Sequence, residues 1–234
     1  MLPVYFESSG ARLFGIYHAA GRAPSRRVAV LICPPFGHEY IRAHRSLRQL
    51  ANGLSERGHH VLRFDYYGCG DSAGDATDTD VHQWLADITA AIDELKEIAR
   101  VTRVCLVGLR LGATMAAVVA AARDDVEAVF LWDPVENGGN FLAELEDLQR
   151  RWLHGRPGSH HFARGSSVAE LIGFAVPSRM RQSIAALRLR HDAPARYLAT
   201  DPQADWHVAS QAHAALLSPH MVQRMVALVE EHAS

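Results

Sequence analysis

Residues 104–114, VCLVGLRLGAT, constrain the fold of this chain more than any other stretch. An apolar β-type run leads into Gly108-Leu109-Arg110-Leu111-Gly112, and a run of small residues with helical character follows. The spacing is that of G-x-S-x-G, where the central residue stands on a tight strand-to-helix turn and the flanking glycines let the two backbones approach closely. Here the central residue is Arg110.

Arginine is physically awkward at such a turn. A residue other than glycine is held there at a sparsely populated backbone angle, at a cost of about 1–3 kcal/mol. The first turn of the following helix also presents unpaired N–H groups, whose positive end disfavours a cation by about 0.3–1 kcal/mol. The pattern therefore predicts a negative group nearby, either a carboxylate of the protein or an anionic group of a ligand.

Around this turn the chain alternates. Residues 4–8 and 13–18 read as an opening hairpin, and residues 28–33 form an uninterrupted apolar run ending in Pro34-Pro35, as expected of a strand buried on both faces. Leu47, Leu50, Ala51 and Leu54 recur at helical spacing within residues 41–57, before Gly58. A strand over 61–65, a Gly/Asp-rich loop to 80 and a helix over 81–99 with Trp84, Leu85, Ile88, Ile92 and Leu95 on one face come next. The elbow strand, a helix from 111 to about 123 and a strand over 126–132 complete the series, which predicts an α/β architecture with a mostly parallel sheet covered on both faces.

Beyond Asp133 the rhythm breaks. Helical patterns over 140–153 and 178–190 flank a Gly/His/Ser-rich stretch, and a small helical cap inserted at about 138–190 accounts for this better than a separate domain. Residues 1–234 are thus expected to form one domain. Trp152, His154, His160 and His161 have irregular spacing and no carboxylate or cysteine among them, so a solvated loop is expected rather than a metal site. A late strand at 196–200 and a closing helix from Ser218-Pro219, with Val222, Met225, Val226 and Val229 on its stripe, end the chain.

With 48% hydrophobic residues in 234, there is apolar content for one substantial core. A net charge of −2 supplies no basic face for nucleic acid or an anionic membrane. Cys33, Cys69 and Cys105 are odd in number and unclustered, so they are expected as reduced thiols without a disulfide or zinc role. No basic-then-apolar leader and no membrane-length apolar run is present, and a cytoplasmic location is expected.

These motifs resemble the α/β-hydrolase superfamily: the hairpin, PPFGHE after the first buried strand, FDYYGCGDS after the next, and the elbow. More narrowly, PPFGHE, YGCGDSAGD, GLRLGA and LWDPV resemble the exosortase A system-associated hydrolases and related biosynthetic-cluster proteins, relatives that often carry arginine at the elbow. The resemblance spans residues 1–145 and implies an α/β-hydrolase fold. It also implies a triad acid after the seventh strand and a histidine after the eighth. Only six residues separate Thr200 from His207, so the C-terminal region is shortened and that arrangement is in doubt.

Which residues could carry chemistry? A guanidinium stays protonated, so Arg110 is no nucleophile and is assigned an anion- or oxyanion-binding role. Glu39 belongs to the loop after the first buried strand, at the same sheet edge, and is expected to pair with Arg110 or act as a general base; a solvated loop glutamate is the plain alternative. His207 has the best claim to the superfamily's base, against a surface histidine among 14. Asp201 and Asp205 could orient it. Asp133 is a second candidate acid, or a turn-forming Asp-Pro. Ser72 and Cys69 read as turn residues, Cys105 as core, and His38 could face either pocket or solvent. Phe36, Gly37, His38, Leu109 and Leu111 are expected to line the substrate site.

Two functions follow. One is an enzyme acting on an acyl, ester or thioester group of a small-molecule or acyl-carrier-linked substrate, without a serine nucleophile, metal or cofactor. The other is a catalytically silent relative that binds a ligand or serves an accessory role. A homodimer is left open.

Overall fold

In the computed structural model the described residues are 1–21, 26–154, 170–192, 196–200 and 219–233. The opening hairpin is β1 (Leu2–Ser8) and β2 (Ala11–His18). The series continues with β3 (Val28–Cys33), α1 (His38–Glu56), β4 (Val61–Phe64), α2 (Val81–Ala99), β5 (Arg103–Leu109), α3 (Leu111–Ala120) and β6 (Val126–Trp132). Then come α4 (Gly138–His154), a short antiparallel pair β7 (Glu170–Leu171) and β8 (Phe174–Ala175), α5 (Ser178–Ala186), β9 (Arg196–Ala199) and α6 (Pro219–His232).

The main sheet has the order β1-β2-β4-β3-β5-β6-β9. It is parallel from β4 through β9 and antiparallel at the β1–β2–β4 side. The apolar run of β3 is explained by its position: all six residues are buried, and alternate ones serve opposite faces. Ala29, Leu31 and Cys33 join Val104 and Leu106 in the core under α2 and α3, while Val28, Val30 and Ile32 join Cys105, Val107 and Leu109 in the core under α1 and α6. The expected helices on both faces, and the α/β-hydrolase architecture, are therefore present.

The ends of elements were less legible. Helix α1 starts at His38, three residues before the expected start at 41, because Gly37 turns the chain at φ 59° and ψ −128°. Helix α5 stops at Ala186 rather than near 190, and the β7–β8 pair lies between α4 and α5. That pair turns through Ile172 and Gly173, both at positive φ. Leu142 and Leu145 of α4, Leu171 of β7 and Met180 and Ile184 of α5 share one apolar cluster with the sheet. Among the described residues, no helix is long and apolar enough to cross a membrane.

Candidate functional site

The elbow is built by close approach. Arg110 sits between β5 and α3 at φ 53° and ψ −121°. A Cβ at Gly108 would stand 2.3 Å from the Ala113 Cα, and one at Gly112 would stand 2.2 Å from the Pro34 carbonyl oxygen. Only glycine fits either position. The turn is held by the Arg110 N–H donating to the Trp132 carbonyl at 3.0 Å and by the Thr114 hydroxyl donating to the Val135 carbonyl at 2.7 Å.

A similar turn lies one strand away. Gly37 connects β3 to α1 with nearly the same φ and ψ as Arg110, and the parallel register places Cys33 opposite Gly108. Glu39, in the first turn of α1, therefore reaches the edge where Arg110 stands. The sequence placed Glu39 in a loop; it is helical, and a helix N-terminus favours its negative charge.

Arg110 Nε donates to Glu39 Oε1 at 2.9 Å. Its Nη1 donates to the main-chain carbonyl of Asp133 at 3.4 Å, and Nη2 is 3.6 Å from Oε2 of Glu144 on α4. The guanidinium also lies 5.7 Å from the Phe141 ring centre, within cation–π range. The Glu39 side chain is 2% exposed, against 48% for Glu144, so the two carboxylates differ in kind.

Burial pushes the Glu39 carboxyl up to about 7, with Arg110 opposing that rise. Desolvation exceeds the attraction of one guanidinium because both lone-pair directions of a carboxylate need partners once water is removed. Here Oε1 has one, and Oε2 is buried without a hydrogen-bond partner among the described residues. A carboxyl of this kind can hold or release a proton near neutral pH.

Other candidates fare differently. Asp133, the second candidate acid, stands at φ 42° at the end of β6, and its main-chain carbonyl accepts from Arg110 Nη1. Leu109 and Leu111 are buried in the two cores, one on each side of the sheet, and neither lines the cavity described below. His38 is buried at 8% exposure and likewise does not line the cavity below. His207, Asp201, Asp205, His160 and His161 lie outside the described residues. Ser72 is a fastener: its hydroxyl donates to the Asp65 carbonyl at 2.6 Å and accepts from the Phe14 N–H at 2.9 Å.

Beside the elbow is a cavity of about 300 Å³. Phe36 and Gly37 line it together with Tyr66, Trp84, Phe174 and Thr79. Trp84 was legible only as part of the apolar stripe of α2. Cys69 also faces the cavity, and burial pushes its thiol up to about 12, which leaves it unreactive as a nucleophile. Arg110 and Glu39 do not line this space. They connect to it through aromatic contact: Phe36 packs at 6.5 Å from Phe141, the ring that Arg110 meets.

Residues 24–188 match the family described as serine aminopeptidase, S33. No protein of curated function matches the sequence. Among solved structures, the chain is similar to Est1E from Butyrivibrio proteoclasticus, described with ferulic acid bound: 18% identity, 98% of each chain covered, TM-score 0.67. It is also similar to a hypothetical protein from Pseudomonas aeruginosa, at 19% identity and TM-score 0.66 over 99% of this chain and 93% of the other. An esterase from Pyrococcus furiosus gives 14% identity and TM-score 0.63 over 100% and 91%. At these identities the likeness concerns the fold.

Proposed function

The chain belongs to the serine aminopeptidase S33 family of α/β hydrolases, and from that premise we propose that it is an enzyme acting on an acyl, ester or thioester group without a serine nucleophile. The observation that carries this reading is Glu39: a buried carboxyl at the elbow, with Oε1 on Arg110, Oε2 without a partner among the described residues, and its pKa raised to about 7. A discarded site has no physical reason to retain such a group, because a buried carboxyl without full hydrogen bonding is destabilising.

In the proposed reaction Glu39 takes a proton from water as the water oxygen attacks the substrate carbonyl carbon. The carbonyl oxygen gains negative charge, which Arg110 and the N-terminus of α3 offset. When the bond from that carbon to the alcohol or thiol breaks, Glu39 returns the proton to the leaving group. The arginine elbow shared with the exosortase A system-associated hydrolases that the motifs resemble fits this assignment, and the esterases among the fold neighbours support the substrate class.

The test is hydrolysis of short- and medium-chain p-nitrophenyl esters and acyl thioesters by wild type, Glu39→Gln and Arg110→Ser. Turnover by wild type that Glu39→Gln removes supports the reading. A silent wild type with activity gained in Arg110→Ser overturns it in favour of a ligand-binding protein that keeps a latent triad.

A further inference from the structure

We propose that the cavity beside the elbow is a binding site for a neutral aromatic group bearing one hydrogen-bonding oxygen, with Thr79 as the polar anchor. The walls are rings. Phe36 lies 5.8 Å from Trp84 at 44° and 6.5 Å from Phe174 at 57°, and Tyr66 stacks on Trp84 at 4.9 Å and 20°. Their polar atoms are already occupied, Trp84 Nε1 by the Tyr67 carbonyl and the Tyr66 hydroxyl by the Pro34 carbonyl, so the cavity meets apolar ring surface. Such faces and edges favour another ring by offset or edge-to-face contact.

Thr79 is the exception on this wall. It is 2% exposed, and its hydroxyl has no hydrogen-bond partner among the described residues. The Tyr40 hydroxyl, by contrast, donates to Asp65. A hydroxyl buried without a partner is unfavourable, and a ligand oxygen would relieve it. Charge selects against an anion: among the described residues no Lys, Arg or His lines the cavity, and Asp65 does. A volume of about 300 Å³ lies at the small end of ligand sites, enough for a single substituted ring. Ile41, which lines the cavity and is 59% exposed, marks its mouth.

The site requires no turnover, so this inference goes beyond the catalytic reading. The probes are acetophenone, ethylbenzene, cyclohexyl methyl ketone and benzoate, titrated into the full chain by calorimetry and by tryptophan fluorescence. Acetophenone is expected to bind about five- to tenfold more tightly than ethylbenzene, the worth of one hydrogen bond, and more tightly than the saturated ketone and the anion. Thr79→Val should erase the acetophenone–ethylbenzene gap. Ile41→Trp, an exposed substitution independent of Thr79, should weaken both. No binding of acetophenone, a gap that survives Thr79→Val, or binding indifferent to Ile41→Trp overturns the proposal. The same titration on Glu39→Gln should match wild type, which separates failure of this site from failure of the catalytic reading.

Discussion

Arg110 Nε donates to Glu39 Oε1 across 2.9 Å, joining the N-cap of α3 to the first turn of α1 over the edge of two adjacent parallel strands. The pair couples a strained backbone position to a buried ionisable group. Each half changes what the other is able to do: the guanidinium keeps Glu39 from rising further, and the carboxyl supplies the negative charge that an arginine at a helix N-terminus lacks.

Activity should follow the ionised form of Glu39. With its carboxyl held at about 7, kcat/KM for a p-nitrophenyl ester is expected to rise through neutral pH and level off above it. Glu39→Gln should lower the plateau about 10²- to 10⁴-fold, the usual worth of a general base. A rate with no inflection between pH 6 and 8 would remove Glu39 from the role of base.

Stability should respond in the opposite direction. Glu39 is raised from 4.5 to about 7 on folding, so the native state binds its proton more tightly than the unfolded chain does. Its contribution is full below about pH 4.5 and is lost as pH rises to about 7, a difference of about 3 kcal/mol. His18, whose ring is lowered to about 4 by burial and by Arg63, works the other way: its share is full above 6.5 and lost as pH falls towards 4. Urea unfolding of wild type and Glu39→Gln across pH 4–8 isolates the first effect as their difference. Parallel curves would contradict it.

The backbone half of the pair is tested with two truncations. Arg110→Ala and Arg110→Gly remove the same ion pairs, but only glycine is relaxed at φ 53° and ψ −121°. Arg110→Gly should therefore be more stable than Arg110→Ala by about 1–2 kcal/mol, despite glycine's greater unfolded-state entropy. Both should push the Glu39 carboxyl further up, because the guanidinium that lowers it is gone. Equal unfolding midpoints would show that the turn stores no strain.

The sheet and the elbow were legible because they are local patterns. A two-sided apolar strand such as Val28–Cys33 and glycines two residues either side of Arg110 express constraints that neighbouring backbone imposes directly. The pairing of Glu39 with Arg110 was legible from charge and edge position. Its extent of burial was not, since that depends on how α1 and its neighbours close over one carboxylate. Asp133 shows the same limit, as a residue type at a strand end does not reveal whether side chain or carbonyl makes the contact. Thr79 carried no signal at all: a lone hydroxyl in a loop acquires meaning only when aromatic residues from β8, α2 and the β3–α1 turn surround the same space.

Ser72 supplies the control that separates architecture from chemistry. It stands in a GDSAG sequence, yet its hydroxyl both donates to the Asp65 carbonyl and accepts from Phe14 N–H, tying the loop after β4 to the hairpin strand β2. Ser72→Ala leaves that N–H and that carbonyl without their partner, and about 1–3 kcal/mol of stability should be lost. A nucleophile would behave otherwise. Activity per folded molecule, measured at a temperature where both proteins are fully native, should stay within a few-fold of wild type, and covalent trapping by an organophosphonate should label neither. Loss of activity with unchanged stability, or phosphonylation of Ser72 in the wild type, would return the reaction to an ordinary serine mechanism on an unexpected loop.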